Sequence, residues 1–201
     1  GSLSIEQLRD EGFEPLALCS LLAKIGTSDP IAAFGSLEDI IASFQISKFG
    51  RSTARFSPDE LSQINARILQ TFDYQAVKDR LNAAGLTDID EGFWALVRGN
   101  ISSVNEAEKW WNICTQPITP LNEDAEVSAA AIDLLPEGEL TAESWGTLTK
   151  AISAQTGKKG RALFMPLRQA ITGESAGPDM AALLPYIGRD RVLARLAGNI
   201  A

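Results

Sequence analysis

Residues 57–72 read SPDELSQINARILQTF. Ser57 supplies an N-cap hydroxyl, Pro58 fits the first helical position, and Glu60 closes a capping box three residues on. Leu61, Ile64, Ile68, Leu69 and Phe72 then recur at helical spacing, so one face is apolar and the other polar. Working outward, the same grammar repeats. Ser4 through Gln7 form a capping box before a helix that Gly12 ends. Pro15 opens a helix that stops near Gly26, and Ser36 caps a short one containing Leu37, Ile40 and Ile41. Asp73 starts another, running to Gly85. Further helices are expected over 90–98, 103–114, 123–135, 141–156, 161–172, 178–187 and 189–198. No sustained two-residue alternation and no Asn-Gly hairpin signal interrupts them. The fold class is therefore all-α.

The segment TQPITPLNED at 115–124 carries two prolines within four residues and reads as the clearest linker. A softer boundary lies at 70–73. The chain has 201 residues, enough for one or two domains of roughly 100–200 residues. The leading Gly1-Ser2 reads as a cloning remnant, which predicts a piece of something longer. No apolar run approaches the roughly 20 residues of a membrane span. Cys19 and Cys114 are isolated, which fits a reducing compartment and two buried small hydrophobes.

The sequence has no histidine. Nucleophilic catalysis by a Ser-His or Cys-His pair is excluded, and a metal would have to rely on carboxylates. No GxxxxGK[ST] or GxGxxG phosphate loop is present. No catalytic residue and no metal ligand is nominated. The acidic run over 123–143 matches no calcium loop, and such carboxylates are expected to form a solvated face.

The formal net charge is −8, which by itself disfavours nucleic acid. Its distribution is uneven. No Lys or Arg occurs from Cys114 to Thr149, whereas no Asp or Glu occurs from Ser144 to Gly173, where Lys150, Lys158, Lys159, Arg161 and Arg168 lie. A second acid-free stretch, ISKFGRSTARF at 46–56, holds Lys48, Arg51 and Arg55. Local positive strips can hold a phosphate backbone on a net-acidic molecule. The alternative is a solvated basic face, with Phe49 and Phe56 anchoring the first loop in the core.

RALFMPLRQAITGESAGP at 161–178 combines both themes. Leu163, Phe164, Leu167 and Ile171 are expected to be core. Arg168 borders that face, where it either forms a buried ion pair or offers its planar donor fork to a base edge or phosphate. Pro178 is expected to open the next helix, whose N-terminus favours anions or base oxygens. Trp110 and Trp111 are expected to pack in the core rather than stack on bases.

Three stretches resemble the C-terminal, RNA-binding half of bacterial glutamyl-tRNA synthetase, a class I ligase. LRDEGFEPLALCSLLAKIGTSDP (8–30) and FQISKFGRSTARFSPDELSQINARIL (44–69) resemble its stem-contact segment. RALFMPLRQAITGESAGPDMAALLPYIGRDRVLARL (161–196) resembles its distal anticodon-binding domain. The resemblance implies three parts: a stem-contact helical segment over 1–72, and anticodon-binding subdomains over 73–118 and 119–201. It implies glutamate tRNA as partner and ATP with magnesium as the parent enzyme's cofactors. The catalytic domain that uses them is not in this chain, which has no HIGH-type motif and no KMSKR-type loop. The fragment alone is expected to be inactive and without cofactor, monomeric, cytoplasmic and free of membrane.

Residue roles carried over by the resemblance fall on Arg168 for the middle anticodon base and on Gly177, Pro178 and Met180 for the first. Gly177 stands where other members carry a polar side chain. For the third base the family's reading arginine aligns with Asn100 in RGNISSV, with Arg98 two residues earlier. An Asn there implies weak discrimination and a parent that also charges glutamine tRNA. Lys48, Arg51, Arg55, Lys158, Lys159 and Arg161 are the candidate backbone contacts. The competing reading is a helical protein–protein interaction domain whose basic patch meets an acidic partner.

Overall fold

The computed structural model describes residues 4–51 and 53–201 and is all-α: among these residues there are twelve α-helices, two short 3-10 turns and no strand. The chain divides into two compact units, Gly1–Ala107 and Glu108–Ala201.

The first unit holds α1 (Ile5–Asp10), α2 (Pro15–Leu22), α3 (Leu37–Ser43), α4 (Pro58–Leu69), α5 (Tyr74–Ala83) and α6 (Glu91–Val97). The expected caps form. Ser4, Ser36, Ser57 and Asp73 each accept a backbone N–H from the first turn of the helix they precede. Helix α4 buries Leu61, Ile64, Ile68 and Leu69 against α2, whose Ala17 and Leu21 are fully enclosed. At about 25 cal/mol per Å2, each of these leucines and isoleucines contributes roughly 1.5–3 kcal/mol.

A polar pin, not apparent from the helical stripe, crosses this core. Asn65 is fully buried; its Oδ1 accepts the Glu14 N–H at 2.8 Å and its Nδ2 donates to the Ser102 carbonyl. The Phe49 side of the 46–56 loop is partly buried, but Phe56 is 40% exposed and so does not anchor it in the core. Cys19 is likewise exposed, contrary to the expected buried thiol, because it lies on the outer side of α2; Cys114 is buried as expected.

The second unit contains most of α7 (Ala107–Thr115), then α8 (Ala125–Leu134), α9 (Ala142–Thr156), α10 (Arg161–Thr172), α11 (Met180–Ile187) and α12 (Arg189–Leu196). Helix α9 packs on α8 and α11, while α12 packs on α8, α10 and α11. Trp110 is buried, as expected from core packing.

The 115–124 segment is strapped to this unit rather than left as a linker. Its Ile118 N–H donates to the Ala201 carbonyl and its Leu121 N–H to the Gln169 carbonyl. The Asn122 amide donates to the carbonyls of Arg195 and Leu196, both at 3.1 Å. Proline removes two donors here, and long-range partners satisfy the remaining polar backbone.

Arg195 completes the strap. Fully buried, it donates to Ala201 O at 2.7 Å, Ile171 O at 2.9 Å and Gln116 O at 3.1 Å. Desolvation pushes its guanidinium down to about 10 and the nearby Cys114 thiol up to about 12. An arginine held by three main-chain oxygens, with no Asp or Glu side chain bonded to it, is a feature that sequence spacing does not announce.

Candidate nucleic-acid interface

Helix α10 begins after Gly160, which has a positive φ of 55°, and ends at Gly173 in the left-handed region. Its Pro166 is the sixth of twelve helical residues, and its missing N–H removes the one intrahelical bond that would run to Ala162. Leu163, Leu167 and Ile171 are buried, but Phe164 is 45% exposed and corrects the expected four-residue core face. Adjacent to the stripe at i+1, Phe164 points off its edge and tilts toward Trp145 of α9, with ring centroids 6.2 Å apart.

Arg168 lies one turn further along. Its Nη2 donates to the Pro178 carbonyl at 2.8 Å. Its Nη1 is buried and has no hydrogen-bond partner. Burial pushes the guanidinium below its ordinary range and Asp179 opposes this, yet an arginine keeps its charge. The alternative of a buried ion pair is not what forms, because among the described residues no carboxylate lies within ion-pair distance of Arg168. A cavity of about 200 Å3 opens here, lined by Trp145, Phe164, Arg168, Asp179 and Met180. An orphaned buried N–H costs about 1–3 kcal/mol.

The start of α11 differs from expectation. The helix begins at Met180, because the Asp179 side chain caps it by accepting the Ala182 N–H at 3.1 Å. Pro178 therefore precedes the helix, buried, with its carbonyl held by Arg168. Met180 is buried to 3% exposure and forms part of the pocket lining. Gly177 has a φ of 152°, and a Cβ built on it would fall inside the indole of Trp110. Lys109, on the same helix as Trp110, pairs with Glu174 at 2.8 Å, tying the α10–α11 loop to α7 a second time.

The basic candidates separate into engaged and exposed. Lys158 pairs with Asp124 at 2.6 Å and Glu126 at 2.8 Å, so two members of the acidic run are ion-paired rather than merely solvated. The Lys158 ammonium holds the Asp124 carboxyl below its usual range, and that carboxylate raises the Lys158 pKa in turn. Lys48 chelates Asp29 at 3.1 and 3.0 Å, and Lys24 shares the same carboxylate; Lys48 first, then Lys24, lowers the Asp29 pKa. Arg51, Arg55, Lys159 and Arg161 are exposed. Among the described residues no group of three or more Cys, Asp or Glu gathers as a metal site, and no helix is long and apolar enough to cross a membrane.

In the first unit, Arg98 donates through Nη1 to the Phe72 carbonyl at 2.7 Å, a carbonyl that also accepts from the Trp94 indole N–H at 3.0 Å. Asn100 is exposed in the turn that follows, its backbone N–H closing on the Val97 carbonyl at 2.8 Å. Arg98 and Asn100 thus belong to one unit and Arg168, Gly177, Pro178 and Met180 to the other.

Comparison with known proteins gives this geometry a family. Residues 119–200 match the family described as anticodon binding domain. The chain is 47% identical over its full length to glutamate–tRNA ligase 1 of Maricaulis maris, spanning 45% of that protein. It is 47% identical over 98% of its length to glutamate–tRNA ligase 2 of Hyphomonas neptunium, again spanning 45%. A crystal structure of a glutamate tRNA ligase from Elizabethkingia meningosepticum matches 94% of the chain and 41% of its own, with a TM-score of 0.70 at 20% identity, which is a likeness of fold. The chain spans a little under half the length of these curated relatives. Residues 119–200 match the anticodon binding domain family, and the chain as a whole is similar to a portion, under half, of glutamate–tRNA ligases.

Proposed function

We propose that this chain docks tRNA for a glutamate–tRNA ligase, reading the anticodon while the chemistry takes place elsewhere in the protein. The observation that carries this reading is the buried, unpartnered Nη1 of Arg168 at an aromatic-lined pocket within the anticodon-binding domain. A guanidinium fork offers fixed donors to base carbonyls. Uracil, the middle anticodon base of glutamate tRNA, presents such carbonyls beside an N3–H that the Asp179 carboxylate would accept.

In this reading Gly177 and Pro178 approach the first anticodon base through backbone and ring alone, since Gly177 has no room for a side chain. Met180 supplies an apolar wall. Asn100, with Arg98 behind it, meets the third base. Arg51, Arg55, Lys159 and Arg161 meet phosphates, and Lys48 and Lys158 contribute only where RNA displaces their carboxylates. The division into a stem-contact segment over 1–72 and anticodon subdomains over 73–118 and 119–201 belongs to the same proposal.

The parent is proposed to be a monomeric cytoplasmic ligase that joins glutamate to tRNA with ATP and magnesium, using residues outside this chain. Asn100 lacks the charge and five-donor fork of arginine, so we also propose that the parent accepts glutamine tRNA. A binding titration of the chain with glutamate tRNA tests the main reading. Affinity should fall steeply with salt and weaken when the anticodon is changed. Equal binding to any polyanion would favour a basic patch for an acidic protein instead.

A further inference from the structure

We propose that Trp145 and Phe164 form a stacking platform for the base that Arg168 reads, a role that rests on the tRNA-docking proposal above. Three observations converge on it. Phe164 sits on a helix whose Leu163, Leu167 and Ile171 are enclosed, yet it leaves 45% of its surface exposed. Trp145, from a different helix, is half-buried and meets Phe164 at 6.2 Å between centroids with the rings tilted by 35°. The two rings therefore form a tilted aromatic pair rather than a parallel stack, and the Phe164 ring keeps an exposed surface. Arg168, whose Nη1 is buried without a hydrogen-bond partner, and Asp179 line the same cavity of about 200 Å3.

A flat heterocycle satisfies all of these groups together. Its face covers aromatic surface that otherwise contacts water, as base–aromatic stacking does in single-stranded RNA sites. Its edge presents an acceptor to Arg168 Nη1 and a donor to Asp179. An aliphatic side chain would cover the rings but leave the guanidinium orphaned, and a lone phosphate would do the reverse while meeting Asp179 as a like charge. Stacking is tolerant of base identity, so the platform supplies affinity while Arg168 supplies selectivity.

The test uses the full chain and an anticodon stem-loop of glutamate tRNA, prepared with uracil or with an abasic sugar at the middle anticodon position. Binding is followed by fluorescence anisotropy for wild type, Phe164→Leu, Trp145→Leu and Phe164→Tyr, with thermal unfolding as the check on folding. The leucine variants should bind the intact loop roughly tenfold or more weakly and the abasic loop nearly as wild type does. Phe164→Tyr should retain intact-loop binding. Equal losses on both RNAs, or no loss, would overturn the platform. If wild type and Arg168→Ala still differ on the intact loop in that case, the docking proposal survives without it. If wild type itself binds both loops equally, both proposals fall.

Discussion

Gly177 rests directly against the indole of Trp110, with no space between them for a side chain. Any Cβ there meets Cζ2 at 2.5 Å, Cη2 closer still and Cζ3 at 2.9 Å, at a φ of 152° that other residues rarely adopt. Gly177→Ala should therefore cost about 2–4 kcal/mol, from overpacking and backbone strain together. Urea unfolding checks this, and Trp110→Leu in the same chain should recover part of the loss.

Arg195 is expected to matter more for stability than any exposed basic residue. Arg195→Met keeps the volume but leaves three main-chain oxygens, those of Gln116, Ile171 and Ala201, without their donor. The expected loss is about 3 kcal/mol or more. Arg195→Lys should recover little, because one ammonium cannot reproduce three divergent guanidinium bonds. The unfolding midpoints of the two variants give the answer.

The two thiols should behave differently. Cys19 is exposed and should react with a disulfide reagent in the native protein, whereas buried Cys114, its pKa pushed up to about 12, should react only after unfolding. A raised thiol pKa also means that the unfolded chain ionises first. Stability should therefore fall as pH rises above about 9, and Cys114→Ala should flatten that slope.

Lys158 is held by Asp124 and Glu126. The depressed Asp124 pKa makes this pair persist through neutral and mildly acid pH; its contribution is lost only as pH falls through that lowered value. Glu126→Gln should loosen Lys158 without removing the Asp124 cap of α8, and should tighten tRNA binding about twofold to threefold at low salt.

Asn100→Arg should sharpen discrimination in the full-length ligase. Charging of glutamate and glutamine tRNAs by the two proteins compares them directly. A wild-type preference for glutamate tRNA already above about a hundredfold, which is about 2.7 kcal/mol, would contradict the proposed relaxed specificity.

Much of the helical architecture was legible because its signals are local. Ser57 with Glu60, Ser36, Asp73 and the glycines at positive φ mark their helix ends within a few residues. What stayed hidden is long-range. The 115–124 prolines read as a linker because nothing nearby reveals that Arg195, some eighty residues on, grips Gln116. Phe164 belongs to the apolar stripe by spacing, and only the position of Trp145 shows that it lies outside the core. The basic strip was visible, but its pairing with Asp124 depends on α8 and α9 packing side by side. At the candidate site, spacing put Arg168 at the rim of a helix face; the pocket beside it is assembled by three helices and a capping loop.

The most direct test of the central claim compares wild type with Arg168→Ala on glutamate tRNA carrying its own or a changed middle anticodon base. Wild type should prefer its own base by about tenfold or more. Arg168→Ala should lose that preference while keeping its salt-dependent affinity. An Arg168→Ala protein that still prefers the native base by the same factor would contradict the claim.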